Sequence, residues 1–182
     1  MLAQDRSNQR FMIWSDSIND QVANYIEKTF NNEKFIAIHL RNGVDWENAC
    51  SHISPDHHNY MASPQCLDED PKRKLSKSLC FPSKELILNQ LEHVVKNKFN
   101  KQIRHIYIAT DKDPMINEIK NRLNSVVKDL NIVFYDPWLP LLDIAIMTKS
   151  EFFIGNCVSS FTSFVKRDRD INNKESTFWT FF

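Results

Sequence analysis

Glycine is almost missing from this chain: its 182 residues contain two, Gly43 and Gly155. A glycine-rich phosphate loop needs several within a few residues, so that device is excluded. Net charge is missing too. Lys plus Arg is 23 and Asp plus Glu is 23, so no global field recruits nucleic acid, and any anionic ligand must be held by local groups. None of the cysteines forms a CxxC pair, the usual mark of zinc and redox motifs. No apolar run approaches the ~20 residues that a membrane helix needs. Met1 to Arg10 is polar and of mixed charge, without the apolar stretch of a signal peptide.

What is present is a core. At 42% hydrophobic and 12% aromatic residues, the chain has the material of one domain, or of one lobe of a larger protein. Four cysteines, Cys50, Cys66, Cys80 and Cys157, are an even number. Two disulfides are the simpler reading and imply an oxidising compartment; four buried thiols in a cytosolic protein are the alternative. Cys50, His52, His57, His58 and Cys66 are spaced too irregularly to favour zinc over disulfides.

Hydrophobic periodicity predicts alternating elements. Ile18, Val22, Tyr25, Ile26 and Phe30 share one helix face. Phe35 to Leu40 (FIAIHL) reads as a buried strand ending at Arg41-Asn42-Gly43. Residues 45–82 lack sustained periodicity, hold three of the cysteines and a charged patch from Asp68 to Lys74, and read as an irregular, stapled insert. Ser83 can cap a helix with Leu86, Ile87, Leu91, Val94, Val95 and Phe99 on its apolar side. Ile103 to Thr110 is a strand. Asp113 and Pro114 make a cap and first turn for a helix carrying Ile116, Ile119, Leu123, Val126 and Val127. Asn131 to Asp136 is a strand, Leu139 to Met147 a helix, Phe152 to Gly155 a strand, and a helix follows through Phe161, Phe164 and Val165. The predicted class is α/β with a mostly parallel, Rossmann-like sheet. Ligands of such sheets lie beyond the carboxyl ends of the strands.

Both glycines fall there, as ordinary turn residues or as points of close approach. The first strand end presents His39, Arg41 and Asp45. Arg41 offers a planar fork of donors suited to phosphate, and its partner is either Asp45 or a ligand's pyrophosphate. The loop from Gly155 to Thr162 (GNCVSSFT) is a second candidate. Ser159 or Ser160 caps the next helix, whose free N–H groups and dipole attract anions, and the hydroxyls of Ser159, Ser160 and Thr162 add donors; plain capping is the alternative. Asp143, set among Leu141, Leu142, Ile144 and Ala145, either points to solvent or accepts from a nucleobase or ribose. Lys72-Arg73-Lys74 reads as a solvated loop. The run from Lys166 to Asp170 alternates in sign and reads as an exposed helix end.

At these residues a resemblance emerges. His39 to Cys50 (HLRNGVDWENAC) resembles the HLRIGSDWxNAC segment of the protein O-fucosyltransferases. Phe11 to Ser15 (FMIWS), Met61 to Cys66 (MASPQC), Tyr107 to Asp111 (YIATD) and Phe153 to Asp170 (FIGNCVSSFTSFVKRDRD) resemble that family's segments in the same order. The resemblance implies a GT-B glycosyltransferase, of which residues 1–182 form the C-terminal lobe, with the N-terminal lobe absent. It implies an inverting transfer of L-fucose from GDP-fucose to Ser or Thr hydroxyls of EGF-like repeats in the endoplasmic reticulum lumen, with no metal and no other cofactor. It implies that His39, Leu40 and Arg41 contact the nucleotide, that Asp143 holds the guanosine end, and that Ser160 and Phe161 hold the phosphates. Arg41 is the catalytic candidate, because a guanidinium at the β-phosphate stabilises the charge that develops on the leaving group. The implied disulfides are Cys50–Cys80 and Cys66–Cys157. Neither a metal site nor a general base is evident. Asn42 departs from the family's segment, which has an apolar residue beside the arginine.

Overall fold

A computed structural model of the chain describes residues 8–54 and 74–181. Its centre is β1 (Phe35–Leu40), all six of whose residues are buried. A strand covered on both faces has no solvent side to alternate with, and this is why FIAIHL is apolar at every position but His39. β1 pairs with β2 (His105–Thr110) on one side and with β4 (Phe152–Gly155) on the other. β3 (Asn131–Phe134) adds to β2, and β5 (Ser176–Phe178) adds to β4. The order is β3-β2-β1-β4-β5 and every pairing is parallel. The α/β class and the parallel sheet are as the sequence predicts. The chain moves outward from β1 to β3, then returns to the far side of β1 for β4. The crevice between the carboxyl ends of β1 and β4 is therefore the switch point where such sheets bind ligands.

Side-chain parity divides the core. Ile36, Ile38 and Leu40 of β1 join Ile106, Ile108 and Ile154 on one face, covered by α4 (Lys84–His93) and α5 (Ile116–Leu123). Phe35, Ala37, Tyr107, Ala109 and Phe153 line the other face, under α1 (Asp16–Phe30), α6 (Pro140–Lys149) and α7 (Ser160–Ile171). Each fully buried Ile contributes about 1.5–3 kcal/mol of apolar transfer free energy. Ser15 and Ser83 cap α1 and α4, their hydroxyls accepting from Ile18 N and Leu86 N. A π turn, Val94–Lys98, extends α4 and keeps Val94 and Val95 in the core.

Four expectations need correction. The insert is not irregular throughout: α2 (Val44–Ser51) and the short α3 (Lys77–Cys80) lie within it. α2 buries only Cys50, with Trp46 packed one turn earlier, a stripe too narrow to register as periodicity. Second, α5 starts at Ile116, after Met115 in the left-handed region (φ 52°). Asp113 does not cap that helix but closes a turn, accepting from Met115 N at 2.9 Å. Third, no element is expected from the sequence after the helix through Val165, yet the aromatic C-terminus supplies β5, pinned by Gln90, whose amide donates to the Phe178 and Phe181 carbonyls at 2.8 Å. Fourth, the charged run on α7 is not a solvated end. Lys166 is buried and Arg169 fully so. Arg169 donates to the carbonyls of Ser150 (2.7 Å) and Glu175 (2.6 Å) and to the Ser176 hydroxyl (2.9 Å), joining the α6–β4 turn to β5.

The Cys50–Cys80 disulfide is present. Cys157 is also disulfide-bonded, while its expected partner, Cys66, lies outside the described residues, as do His57, His58 and the segment from Met61. Cys50, Cys80 and Cys157 are the centre of a third apolar cluster with Leu79, Val158 and Phe178. The Cys50–Cys80 bridge closes a loop of 30 residues, so replacing both cysteines with Ser is expected to lower unfolding free energy by about 3–4 kcal/mol. Denaturant titration of the double variant against the wild type measures this.

Candidate functional site

The crevice at the switch point is a cleft of about 290 Å³ bounded by the ends of β1, β2 and β4. His39, Arg41, Asp111, Asp143, Ser160 and Phe161 all line it, so five of the six residues assigned to the nucleotide come together. Leu40 does not. Successive side chains alternate across a strand, so His39 and Arg41 share one direction and Leu40 takes the other. The Leu40 side chain is 1% exposed in the core beside Trp179, and any contact it makes with a ligand is through its backbone.

Arg41 is half-buried and bound on three sides. One guanidinium nitrogen donates to Asp45 Oδ2 at 2.6 Å, another pairs with Asp111, and the group stacks on the Trp46 ring, 5.0 Å from its centroid. Arg41 holds the Asp45 carboxyl below the usual carboxylate range. Asp111 is held in turn by two consecutive backbone donors, Asn42 N at 2.9 Å and Gly43 N at 3.1 Å. Gly43 is N-cap of α2 at φ −68°, so conformation does not demand glycine. Space does: a Cβ there would overlap the Asp111 and Asp45 carboxylates. Gly155 is likewise hemmed in by Thr162 and Phe153. Both glycines serve close approach rather than a special turn.

His39 is buried, and its Nδ1 lies 2.7 Å from Thr162 Oγ1. Thr162 Oγ1 also accepts from Asn156 N at 3.0 Å. A neutral ring whose Nδ1 accepts the Thr162 proton satisfies both contacts. Burial, with the Arg41 charge nearby, pushes the His39 pKa down to about 3, so the ring is uncharged at neutral pH. Phe161 packs against it at 5.0 Å between ring centroids. Thr162 is fully buried and committed to these contacts, and Ser159 is buried too, with no capping bond from its side chain. The expected ring of three hydroxyl donors therefore reduces to Ser160, which is exposed at the first turn of α7. With it come the free N–H groups of that turn. The cradle is a helix N-terminus with one hydroxyl.

At the other end of the cleft, Asp143 is buried and accepts from the Tyr107 hydroxyl. It does not point to solvent. Burial pushes its pKa up to about 6, aided by Asp136 and opposed by the Tyr107 hydrogen bond. Tyr107 is itself pushed far up by burial and by Asp143. Tyr107 and Asp136 were not singled out in the sequence. The available signal was a Tyr inside the apolar run IYIA, since a buried phenol requires a partner. Among the described residues, no group of three or more His, Cys, Asp or Glu side chains could hold a metal ion, and no helix is long and apolar enough to cross a membrane.

A doubly wound parallel sheet with an arginine and a helix N-terminus facing each other across its switch point is the arrangement of nucleotide-binding α/β lobes. The comparisons specify which. The family model for GDP-fucose protein O-fucosyltransferase matches residues 1–172, and the chain belongs to that family. It is 36% identical over 168 residues to GDP-fucose protein O-fucosyltransferase 1 of Caenorhabditis elegans, covering 90% of this chain and 41% of that protein. A crystal structure of POFUT1 in complex with GDP-fucose superposes with a TM-score of 0.87 at 33% identity, over 100% of this chain and 51% of that one. A POFUT1 complex with GDP gives 0.86 over 99% and 52%. The chain thus spans about half the length, or less, of these relatives.

The buried carboxyl yields a signed prediction. Asp143 has a folded pKa above its unfolded value, so the native state holds the proton more tightly between about pH 4 and 6. Stability from this group falls as pH rises through that window and is level above it. His39, with a depressed pKa, has the opposite slope over much of the same range, so the wild type alone hides both. Comparison with Asp143→Asn separates them. The variant is expected to match the wild type near pH 4 and to exceed it by roughly 2–3 kcal/mol at pH 7–8, as measured by denaturant unfolding at each pH.

Proposed function

We propose that this chain is the donor-binding lobe of an inverting peptide O-fucosyltransferase, which moves L-fucose from GDP-fucose to Ser or Thr hydroxyls of EGF-like repeats. The observation that carries this reading is the placement of Arg41 opposite the first turn of α7 across the switch-point cleft, with Asp143 at its far end. A nucleoside diphosphate has matching chemistry. Its diphosphate would lie between the Arg41 fork and the N–H groups and hydroxyl of Ser160 and Phe161. Guanine presents two N–H donors on one edge, which suit a carboxylate such as Asp143. In a transfer with inversion, the departing diphosphate gains negative charge as the sugar bond breaks, and Arg41 stands where that charge forms. His39, neutral and fixed by Thr162, closes one wall and donates no competing charge. The chemistry requires no metal. An oxidising compartment, the endoplasmic reticulum lumen, suits the Cys50–Cys80 bridge.

A second reading is a lobe that binds GDP-fucose without turning it over. Calorimetry and a transfer assay to a folded EGF-like repeat separate the two, because binding without transfer leaves only the second. In either, Arg41→Ala is expected to lose about 1.5–3 kcal/mol of GDP-fucose affinity, roughly ten- to a hundredfold. Unchanged affinity in that variant would rule out the proposed diphosphate site. Wild-type affinity for GDP is further expected to weaken as pH falls through about 6, where Asp143 takes up its proton, and Asp143→Asn is expected to lack that step.

A further inference from the structure

Arg41 lies just past the end of β1, and the direction of its fork depends on how the chain leaves that strand. Asn42 decides this. Its side-chain amide donates to the Asp113 carbonyl at 2.7 Å, and its amide oxygen accepts from Thr110 Oγ1 at 2.8 Å and Asp113 N at 3.2 Å. Three bonds from one side chain thus tie the loop after β1 to the loop after β2. Its backbone N–H and that of Gly43 hold the Asp111 carboxylate, which pairs with Arg41. A turn with Met115 in the left-handed region, closed by Asp113, completes the second loop.

We propose that Asn42 is the positioning residue for Arg41: its amide locks the β1 and β2 loops together, so that Asp111 aims the guanidinium into the cleft. The inference rests on the reading of the cleft as a diphosphate site. Asn42 does not line the cleft and acts through Arg41. The family's segment carries an apolar residue here, so the device is particular to this chain, in which the Thr110 hydroxyl and the Asp113 N–H and carbonyl bond the amide; replacing Asn42 with an apolar side chain of similar size would leave these groups without that partner, and the two loops would separate or shift. Loss of aim at the guanidinium affects a ligand's terminal phosphate and leaves its nucleoside contacts, across the cleft at Asp143, in place.

The test is a double-mutant cycle read by calorimetry with two probes, GDP-fucose and GMP, on the oxidised full chain. GMP lacks the second phosphate that Arg41 would hold. Asn42→Leu is expected to weaken GDP-fucose binding about tenfold with GMP binding unchanged, and to add no further loss in the Arg41→Ala background. Thr110→Val removes one of the three bonds at constant size. It is expected to give a two- to threefold loss of the same kind, and it decides the matter if Asn42→Leu does not fold. Equal losses for GDP-fucose and GMP would mean general damage and overturn the proposal. So would a loss that adds in full to that of Arg41→Ala, or no loss beside a weakened Arg41→Ala. If Arg41→Ala itself leaves GDP-fucose binding intact, or the wild type does not bind, the diphosphate reading fails first and this inference with it.

Discussion

A guanidinium at the mouth of a buried strand must have its charge answered, and the ligand-side end of this sheet is arranged around that requirement. An unpaired charge there would cost several kcal/mol. Asp111 and Asp45 pair with Arg41, and Trp46 covers its flat face. Each of these groups is in turn tied down. Asp111 rests on two backbone N–H groups. Trp46 donates its indole N–H to the Cys80 carbonyl at 3.1 Å, and Asn156 donates to the same carbonyl at 2.9 Å. The disulfide at Cys80 thereby connects the arginine's support to the loop after β4. The Cys50–Cys80 bridge and the site form one mechanical unit, in which the bridge holds the platform on which Arg41 stacks.

Much of this arrangement was legible in the residues. Apolar runs marked four strands to within two residues at each end; for β1, β2 and β4 the reason is that a buried parallel strand leaves little choice of side chain. Both glycines and Arg41 fell at strand ends, where the fold concentrates ligand contacts. Strand parity alone separates Leu40 from its neighbours: the side chains of His39 and Arg41 point one way and that of Leu40 the other. What the residues could not display were pairings made at a distance. β5 consists of Ser176, Thr177 and Phe178, and it exists because Gly155 offers its carbonyl to Trp179 N and Gln90 captures the carbonyls beyond it. No local pattern encodes either contact.

The two arginines at positions 41 and 169 show why composition misled in one place and not in the other. The run from Lys166 to Asp170 has the alternating charge of a solvated helix, yet Arg169 is completely buried. Its partners are carbonyl and hydroxyl oxygens at the turns leading into β4 and β5, and these carry no sequence signature. Burial lowers its pKa to about 10, which still leaves it charged at neutral pH. Carbonyl dipoles fixed by the fold hold that charge permanently. Arg41 is different: its partners are side-chain carboxylates at a rim, with 29% exposure at Asp111 and 69% at Asp45, and such groups can rearrange.

That difference bears on how an anion enters. The cleft holds one guanidinium against Asp111, Asp136 and Asp143, with His39 neutral. Its lining is therefore acid-rich, and a diphosphate gains nothing from long-range attraction there. In the proposed diphosphate site, recognition has to come from short-range donors: the N–H groups at the start of α7, which need no reorganisation, and the fork of Arg41 once its rim carboxylates give way. An acid-rich wall also makes misplacement costly, since a phosphate shifted from the donors meets carboxylates. Selectivity for one pose then follows from the same carboxylates that support the arginine. The rigidity of the loops bearing them, set by Asn42 on one side and the Cys80 carbonyl on the other, becomes a condition of binding rather than an accessory to it.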